Sequence, residues 1–385
     1  MNFIYVEFQF FLLILLHYRK SDLKNRLSLL WSYIFMSNST RFPAEWESAK
    51  AILVALPHAG TDWNYILPEA IDQFRRLIKA MVDAGEFVVA LATDMDAAKS
   101  NFSDIDPGSF KIIEMPLNDT WTRDYGPISV ERNGRMRALD FGFNGWGLKF
   151  AADNDNLVNV NLARKAVIPS DVYRNRRGFI LEGGSLETDG AGLLLTTSEC
   201  LLSPNRNGGM DKKEIAETLS NDLGVDHILW LDYGALEGDD TDSHIDTLCR
   251  IAPGNSILFT GCRNVDDSHF ESLLMMRAQL EMFRNAEGEP FNLIELPLPD
   301  PIYDENGDRL PATYANYLVT PRNLFMPTYN QPINDRLACQ MVRVAFPTHN
   351  IVPVDCATLI RQHGSLHCST MQIPDGIFDN VVFEN

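Results

Sequence analysis

The 385-residue sequence is short of several things, and each shortage removes a class of protein. It has no basic excess: 33 Lys and Arg face 52 Asp and Glu, for a formal net charge of −19. Phosphate recognition needs a basic patch, so a nucleic-acid partner is not expected. Cysteine is sparse. The six residues Cys200, Cys249, Cys262, Cys339, Cys356 and Cys368 include no CxxC pair, which suits neither a zinc site nor a dense disulfide framework and fits a reducing cytoplasm. HxH, HExxH and EF-hand spacings are missing, as is a GxGxxG after an early strand, so neither a metal motif nor a dinucleotide-binding domain is signalled. The apolar run Phe8 to Leu16 is too short for an unambiguous membrane span and follows Glu7 rather than basic residues, so a membrane partner is not expected. Residues 1–35 read as an N-terminal extension, either a weak anchor or sequence ahead of a true start at Met36. Residues 36–385 read as one domain.

What is present is a repeated unit. Ala51–Pro57 reads as a buried strand, followed by a helix from about Pro68 with Ile71, Phe74, Leu77, Ile78, Met81 and Val82 on one face and Gly85 as its stop, then the strand Phe87–Thr93. The pattern recurs at Gly192–Thr197, a helix from Asp211 with Glu214 completing a capping box, and Val225–Leu231. Further copies are Ser256–Thr260 with a helix to Arg284 and Phe291–Leu296, and Asn323–Thr328 with Asn334–Ala345 and Asn350–Val354. A weaker copy fits Arg137–Phe143, a helix near Asn156–Arg164 and a strand before Gly178. Five strand–helix–strand units of roughly 60–75 residues predict right-handed crossovers, a mixed or parallel sheet in each unit, and a closed arrangement about an axis. The segments after the units are Trp121–Gly126, Leu181–Ser185, Asp239–Asp246, Pro311–Tyr317 and His363–Thr370; a ring would bring them together near the axis.

Those segments hold the reactive residues. Cys368 sits in the Gly/Ser-rich turn Gly364–Thr370, where a thiol can be aimed at a ligand. Cysteine, histidine and several carboxylates are the parts needed for nucleophilic attack on a cationic carbon. In the triplet His244-Ile245-Asp246, residues i and i+2 share a face when extended, so a base and a carboxylate can meet one pocket. The run Asp239–Asp246 read alone also admits a metal-dependent hydrolase. His367 is given no catalytic role, because sequence neighbours usually point apart, and the cysteines other than Cys368 read as packing.

Taken together, Trp121-Thr122-Arg123-Asp124-Tyr125-Gly126-Pro127, Phe143-Asn144-Gly145-Trp146-Gly147, Leu181-Glu182-Gly183-Gly184-Ser185, Gly238–Asp246 and Leu366-His367-Cys368 resemble the agmatine deiminase and bacterial peptidyl-arginine deiminase family of guanidino-group-modifying enzymes. The resemblance covers about Phe42 to Pro374. It implies a five-bladed α/β propeller with pseudo-fivefold symmetry and a single deiminase domain at 36–385. The implied activity is cofactor-free hydrolysis of a C–N bond in a guanidino substrate. Agmatine, converted to N-carbamoylputrescine and ammonia in putrescine biosynthesis, is the first substrate, with free arginine and peptidyl-arginine as rivals. It also implies roles: Cys368 as nucleophile forming a covalent amidino-thioether, His244 as acid and base, and Glu182 orienting His244 and bonding the guanidinium. Asp124 and Asp246 would grip the guanidinium by bidentate hydrogen bonds. Trp121, Asn144 and Trp146 would line the pocket. No metal site is implied, and a homo-oligomer is left open. One departure is His363-Gly364-Ser365-Leu366-His367-Cys368, where agmatine deiminases typically read Gly-Gly-Asn-Ile-His-Cys. It bears on substrate identity more than on reaction class. The chain runs only a short way past Cys368, which favours a small substrate over a peptide.

Overall fold

A computed structural model describes residues 40–384; the expected extension at 1–35 lies outside the described residues. The strands in chain order are β1 Thr40–Arg41, β2 Ala51–Ala55, β3 Val88–Ala92, β4 Phe110–Glu114, β5 Ile128–Arg132, β6 Arg135–Gly142, β7 Tyr173–Ile180, β8 Glu187–Thr188 and β9 Leu193–Thr197. They continue as β10 His227–Leu231, β11 Cys249–Ala252, β12 Ser256–Gly261, β13 Asn292–Pro297, β14 Leu318–Val319, β15 Asn323–Thr328, β16 Asn350–Asp355 and β17 Met371–Ile373. They make a mixed α/β structure of five sheets, ordered β17-β2-β3-β4, β1-β5-β6-β7, β8-β9-β10, β11-β12-β13 and β14-β15-β16.

Every sheet contains the same three-strand motif. A parallel pair is joined by a helical crossover: β2/β3, β6/β7, β9/β10, β12/β13 or β15/β16. One antiparallel strand flanks it: β17, β5, β8, β11 or β14. Central strands such as Ala51–Ala55 (AILVA) and Val88–Ala92 (VVALA) are buried at every position. Such strands are covered on both faces, so they read as unbroken apolar runs rather than alternating ones. The helix Leu67–Asp83 has Pro68 in its first turn and buries Phe74, Leu77, Ile78 and Met81 against the strands. Its polar face stays wet, as an amphipathic crossover requires. The weak second unit differs from expectation: β7 runs through Gly178 to Ile180, is largely half-buried, and slips register at Phe141/Gly142. That partial exposure explains its faint apolar signal.

The order of elements explains where chemistry can occur. Each antiparallel strand is entered from a short turn: Thr122–Tyr125 before β5, Gly183–Ser185 before β8, Ile245–Leu248 before β11, residues 313–317 before β14 and 365–370 before β17. The last strand, β17, returns to pair with β2, so the C-terminal segment completes the sheet that begins the fold. Among the described residues no helix is long and apolar enough to cross a membrane.

The helix Lys212–Leu223 carries the expected capping box: the Asp211 side chain accepts from Lys213 and Glu214 backbone N–H groups, and Glu214 reaches back to the Asp211 N–H. Asp211→Ala should therefore cost about 1 kcal/mol of stability, measured by denaturant unfolding, and leave turnover unchanged, since the cap is solvent-exposed.

Candidate active site

The five turns touch one another. The Arg123 N–H donates to the Cys368 carbonyl at 3.1 Å, and the Gly184 N–H donates to Asp124 Oδ1 at 2.9 Å. Asn316 Oδ1 accepts from the His367 and Cys368 N–H groups at 2.9 and 3.3 Å, and Asn316 Nδ2 donates to the Asp246 carbonyl at 3.5 Å. Turns far apart in sequence are thus fixed to one another by one backbone–backbone hydrogen bond and by buried side chains bonded to backbone groups.

Cys368 Sγ lies 3.8 Å from Asp246 Oδ2 and within 3.2 Å of Asn316 Nδ2. Burial pushes its thiol well above the usual range, and the Asp246 and Asp124 carboxylates push the same way. A thiolate here would be a third anion in a dry site, so the empty site favours the neutral thiol. His244 is fully buried, with Nε2 3.0 Å from Glu182 Oε2 and Nδ1 3.6 Å from Asp124 Oδ1. Burial opposes its charge, yet Asp124, Cys200 and Glu182 outweigh burial and hold the imidazole well above its usual range as the cation. Glu182 in turn accepts from Arg206 Nε at 3.1 and 2.8 Å. Burial would raise its carboxyl, but His244 and Arg206 lower it.

Asp124 Oδ2 accepts from Trp146 Nε1 at 2.9 Å. Burial raises this carboxyl to about 6, with His244 pulling down and Asp246 and Glu182 pushing up. Trp146 holds its indole there from a left-handed backbone, φ 55°, a conformation that persists in a bulky residue only where surroundings impose it. Asp246 Oδ2 accepts from His367 Nδ1 at 2.7 Å; despite burial, His367 and His244 keep it below the usual range. Two atoms at the centre, His244 Nδ1 and Asp246 Oδ1, are buried without a hydrogen-bond partner among the described residues. Unpartnered buried polar atoms are costly and rare; Asp246 Oδ1 is placed to accept from a cationic ligand, and His244 Nδ1 to donate to an atom that offers a lone pair.

Above the thiol opens a cleft of about 710 Å3, its mouth included, whose wall carries Trp121, Asp124, Trp146 and Cys368 with Asp62, Asp119, Asp239 and Asp240. His244, Asp246 and Glu182 sit behind this wall. Trp121 packs against the turn at Gly364, where an added Cβ would stand 2.2 Å from its ring. Asn144 does not line the cleft, contrary to expectation. Its side chain accepts from the Gly147 N–H at 3.0 Å and donates to the Asn205 carbonyl at 2.8 Å, so it fixes the turn that carries Trp146.

Sequence reasoning missed Arg206, Asn316 and the role of His367. The segment 311–317 was marked by its place after the fourth unit, but nothing singled out Asn316 within it. Cys200, read as packing, also lies 3.7 Å from Glu182 Oε2. The metal reading of Asp239–Asp246 loses its ligand set, because these carboxylates diverge. Asp239 bonds the Thr241 and Ser243 N–H groups, Asp242 pairs with Lys149 and Arg206, and Asp246 bonds His367. Two other groups bring potential ligand atoms within 4.8 Å, Glu182/Cys200/His244 and Glu45/Glu187/His367. Arg206 already balances the first, and Arg250 and Arg123 the second.

Gly184 is enclosed by the site: an added Cβ would stand 2.6 Å from His244 Nδ1, 2.8 Å from Asp124 Oδ1 and 3.3 Å from Asp246 Oδ2. Gly184→Ala should cut kcat/KM by on the order of 100-fold through misplacement of these groups, with unfolding temperature little changed. Gly178→Ala, where an added Cβ meets nothing within 4 Å, is the matched control and should keep wild-type kinetics.

The family model of Porphyromonas-type peptidyl-arginine deiminases matches residues 41–374. A Vibrio parahaemolyticus relative carrying the provisional name agmatine deiminase is 31% identical over 355 residues, covering 86% of this chain and 96% of its own. A solved C. jejuni agmatine deiminase with substrate bound is 37% identical with TM-score 0.81, covering 88% of this chain and 97% of its own. The Enterococcus faecalis agmatine deiminase superposes with TM-score 0.78 at 26% identity, over 88% of this chain and 97% of its own. With its five interlocked turns and a family match over nearly all the described residues, the chain belongs to the Porphyromonas-type peptidyl-arginine deiminase family.

Proposed function

We propose that the protein hydrolyses the guanidino group of agmatine, yielding N-carbamoylputrescine and ammonia as a step in putrescine biosynthesis. The observation that carries the substrate choice is the cleft wall: among the described residues it holds Asp62, Asp119, Asp124, Asp239 and Asp240, and no Lys or Arg. Agmatine is cationic at both ends. Free arginine would bring its carboxylate against this acidic wall, and peptidyl-arginine would lack the second cation. The similarity to agmatine deiminases of known structure supports the same reading.

The roles follow from geometry and charge. The planar guanidinium bonds Asp124 and Asp246, the latter through its unpartnered Oδ1. Its positive charge reverses the balance that keeps Cys368 protonated. The thiol proton leaves to solvent and the sulfur attacks the guanidinium carbon. His244, held as imidazolium by Asp124 and Glu182, gives its proton to the departing nitrogen as the C–N bond breaks and ammonia leaves. The resulting amidino-thioether is then attacked by water while neutral His244 takes the water proton. The C–S bond breaks, its electron pair returns to sulfur, the remaining hydroxyl proton passes to that thiolate, and the carbon becomes the ureido carbonyl. No step calls for a cofactor. Glu182, held by Arg206, fixes the imidazole; Trp121 and Trp146 wall the cation.

We read the five sheets as blades of a closed propeller with pseudo-fivefold symmetry, a reading supported by their shared three-strand motif, by β17 pairing back to β2, and by the mutual contact of the five turns. Residues 36–385 form one catalytic domain, residues 1–35 are dispensable for catalysis, and the protein acts in the cytoplasm.

Two outcomes test this function. Agmatine should exceed arginine in kcat/KM by about 10- to 100-fold, the worth of one charge-assisted contact of about 1.5–3 kcal/mol; equal use of arginine would refute the acidic-wall argument. The pH profile should follow the carboxylates. Asp124 is raised to about 6 by burial, and Asp119 to about 7 by burial and Asp62. Below these values they bind protons and lose the cation. Agmatine kcat/KM, which reports the free enzyme, should therefore fall as pH drops through this window, and Asp124→Asn should remove the lower step together with most activity.

A further inference from the structure

Beneath the site, on the side away from the cleft, lies a cluster of charges that the proposed chemistry does not use. Glu45, from the segment linking β1 to β2, is at its centre. Its Oε1 accepts from Arg123 Nη1 at 2.8 Å and lies 2.9 Å from His367 Nε2, while its Oε2 accepts from Arg250 Nη2 at 2.7 Å. Each partner is tied to a reactive residue. Arg123 directly precedes Asp124, and His367 directly precedes Cys368. Arg250 stands in β11, the strand entered from the turn that carries Asp246. His367 also donates Nδ1–H to Asp246 Oδ2 at 2.7 Å.

The pattern has a simple origin. Chain neighbours point to opposite sides, so a turn that aims Asp124 or Cys368 at the cleft aims Arg123 or His367 behind it. Both are buried; burial and the neighbouring arginines push His367 down toward the neutral imidazole, while the buried charge of Arg123 and Arg250 must be matched. Glu45 is ionised for the same reason. Burial alone would raise its carboxyl, but His367, Arg123 and Arg250 draw it well below the usual range. Glu187, in the strand after the Glu182 turn, holds the other face of Arg250 and accepts the Ile251 N–H at 3.0 Å.

We propose that Glu45 is a positioning residue of the active site: one carboxylate that fixes, through Arg123, His367 and Arg250, the placement of Asp124, Cys368 and Asp246. It deepens the proposed deiminase reading and rests on it for its kinetic arm. Asp246 is affected most directly, since the chain Glu45–His367–Asp246 runs through one imidazole. Losing the carboxylate leaves Arg250 with Glu187 alone and Arg123 with no carboxylate partner among the described residues, and the backs of the turns are then free to shift.

The test uses the full-length Glu45→Gln and Glu45→Asp proteins, with kcat and KM for agmatine, thermal unfolding, and iodoacetamide alkylation rates resolved by peptide mass. Glu45→Gln should lower kcat at least about tenfold with KM within about threefold, because misalignment reaches the reacting atoms more than the mouth of the cleft. Cys368 should alkylate at a rate changed at least about threefold, while the partly exposed Cys262 and Cys339 keep theirs. Glu45→Asp, which keeps the charge, should recover part of kcat. The proposal is overturned by a folded Glu45→Gln protein with wild-type kcat, by equal alkylation changes at Cys262 and Cys339, or by failure of both variants to fold. Absence of agmatine turnover in the wild type would instead refute the deiminase reading, leaving the alkylation comparison to decide Glu45.

Discussion

Negative charge buried beside a thiol is the constraint on which the rest of this structure depends. Asp124 and Asp246 are both buried, both on the Cys368 side of the molecule, and both held in place by neutral or histidine donors rather than by arginine. Burial has raised one carboxyl to about 6 and would raise the other but for His367 and His244. Such an arrangement is unfavourable on its own. It makes sense as a site completed by a cation from outside. The same field raises both reactive groups, so that Cys368 is kept protonated and neutral while His244 is kept protonated and charged. In the proposed mechanism the guanidinium brings both the carbon to be attacked and the charge that permits the attack.

Holding those carboxylates apart from solvent requires a rigid frame, and the fold supplies it through repetition. Each sheet delivers one turn; four junctions between turns are made by hydrogen bonds to a backbone or amide group, and the fifth by the His244–Glu182 side-chain pair. The backs of the turns carry arginines and a histidine, so the charged cluster around Glu45 mirrors the acidic face on the other side. Preorganisation of this kind avoids reordering at the moment of reaction.

Much of this was legible in the chain. Runs such as Ala51–Ala55 and Val88–Ala92 are so uniformly apolar that only a strand covered on both faces suits them, and the Asp211/Glu214 box marked its helix start correctly. The segments after each unit were identifiable by position, because a repeating fold returns to the same place. What sequence could not give was direction. Arg206 reaches Glu182 from a short helix outside any repeat signal, Asn316 is one polar residue among several in its turn, and Asn144 turns away from the cleft to hold Asn205. Glu45 precedes every unit, and its partners are 78, 205 and 322 residues away. Contacts of that range follow from tertiary packing, which no local pattern encodes.

The central claim is that Cys368 is a neutral thiol until a guanidinium cation arrives. Ultraviolet thiolate absorbance, titrated with pH and corrected by the same titration of Cys368→Ala, measures this directly. The account predicts no Cys368 thiolate in the free protein until well above pH 9, the ordinary thiol value from which burial and the two aspartates raise it, and its appearance near neutrality when guanidinium ion fills the cleft. A Cys368 thiolate already present at neutral pH in the empty site would contradict it.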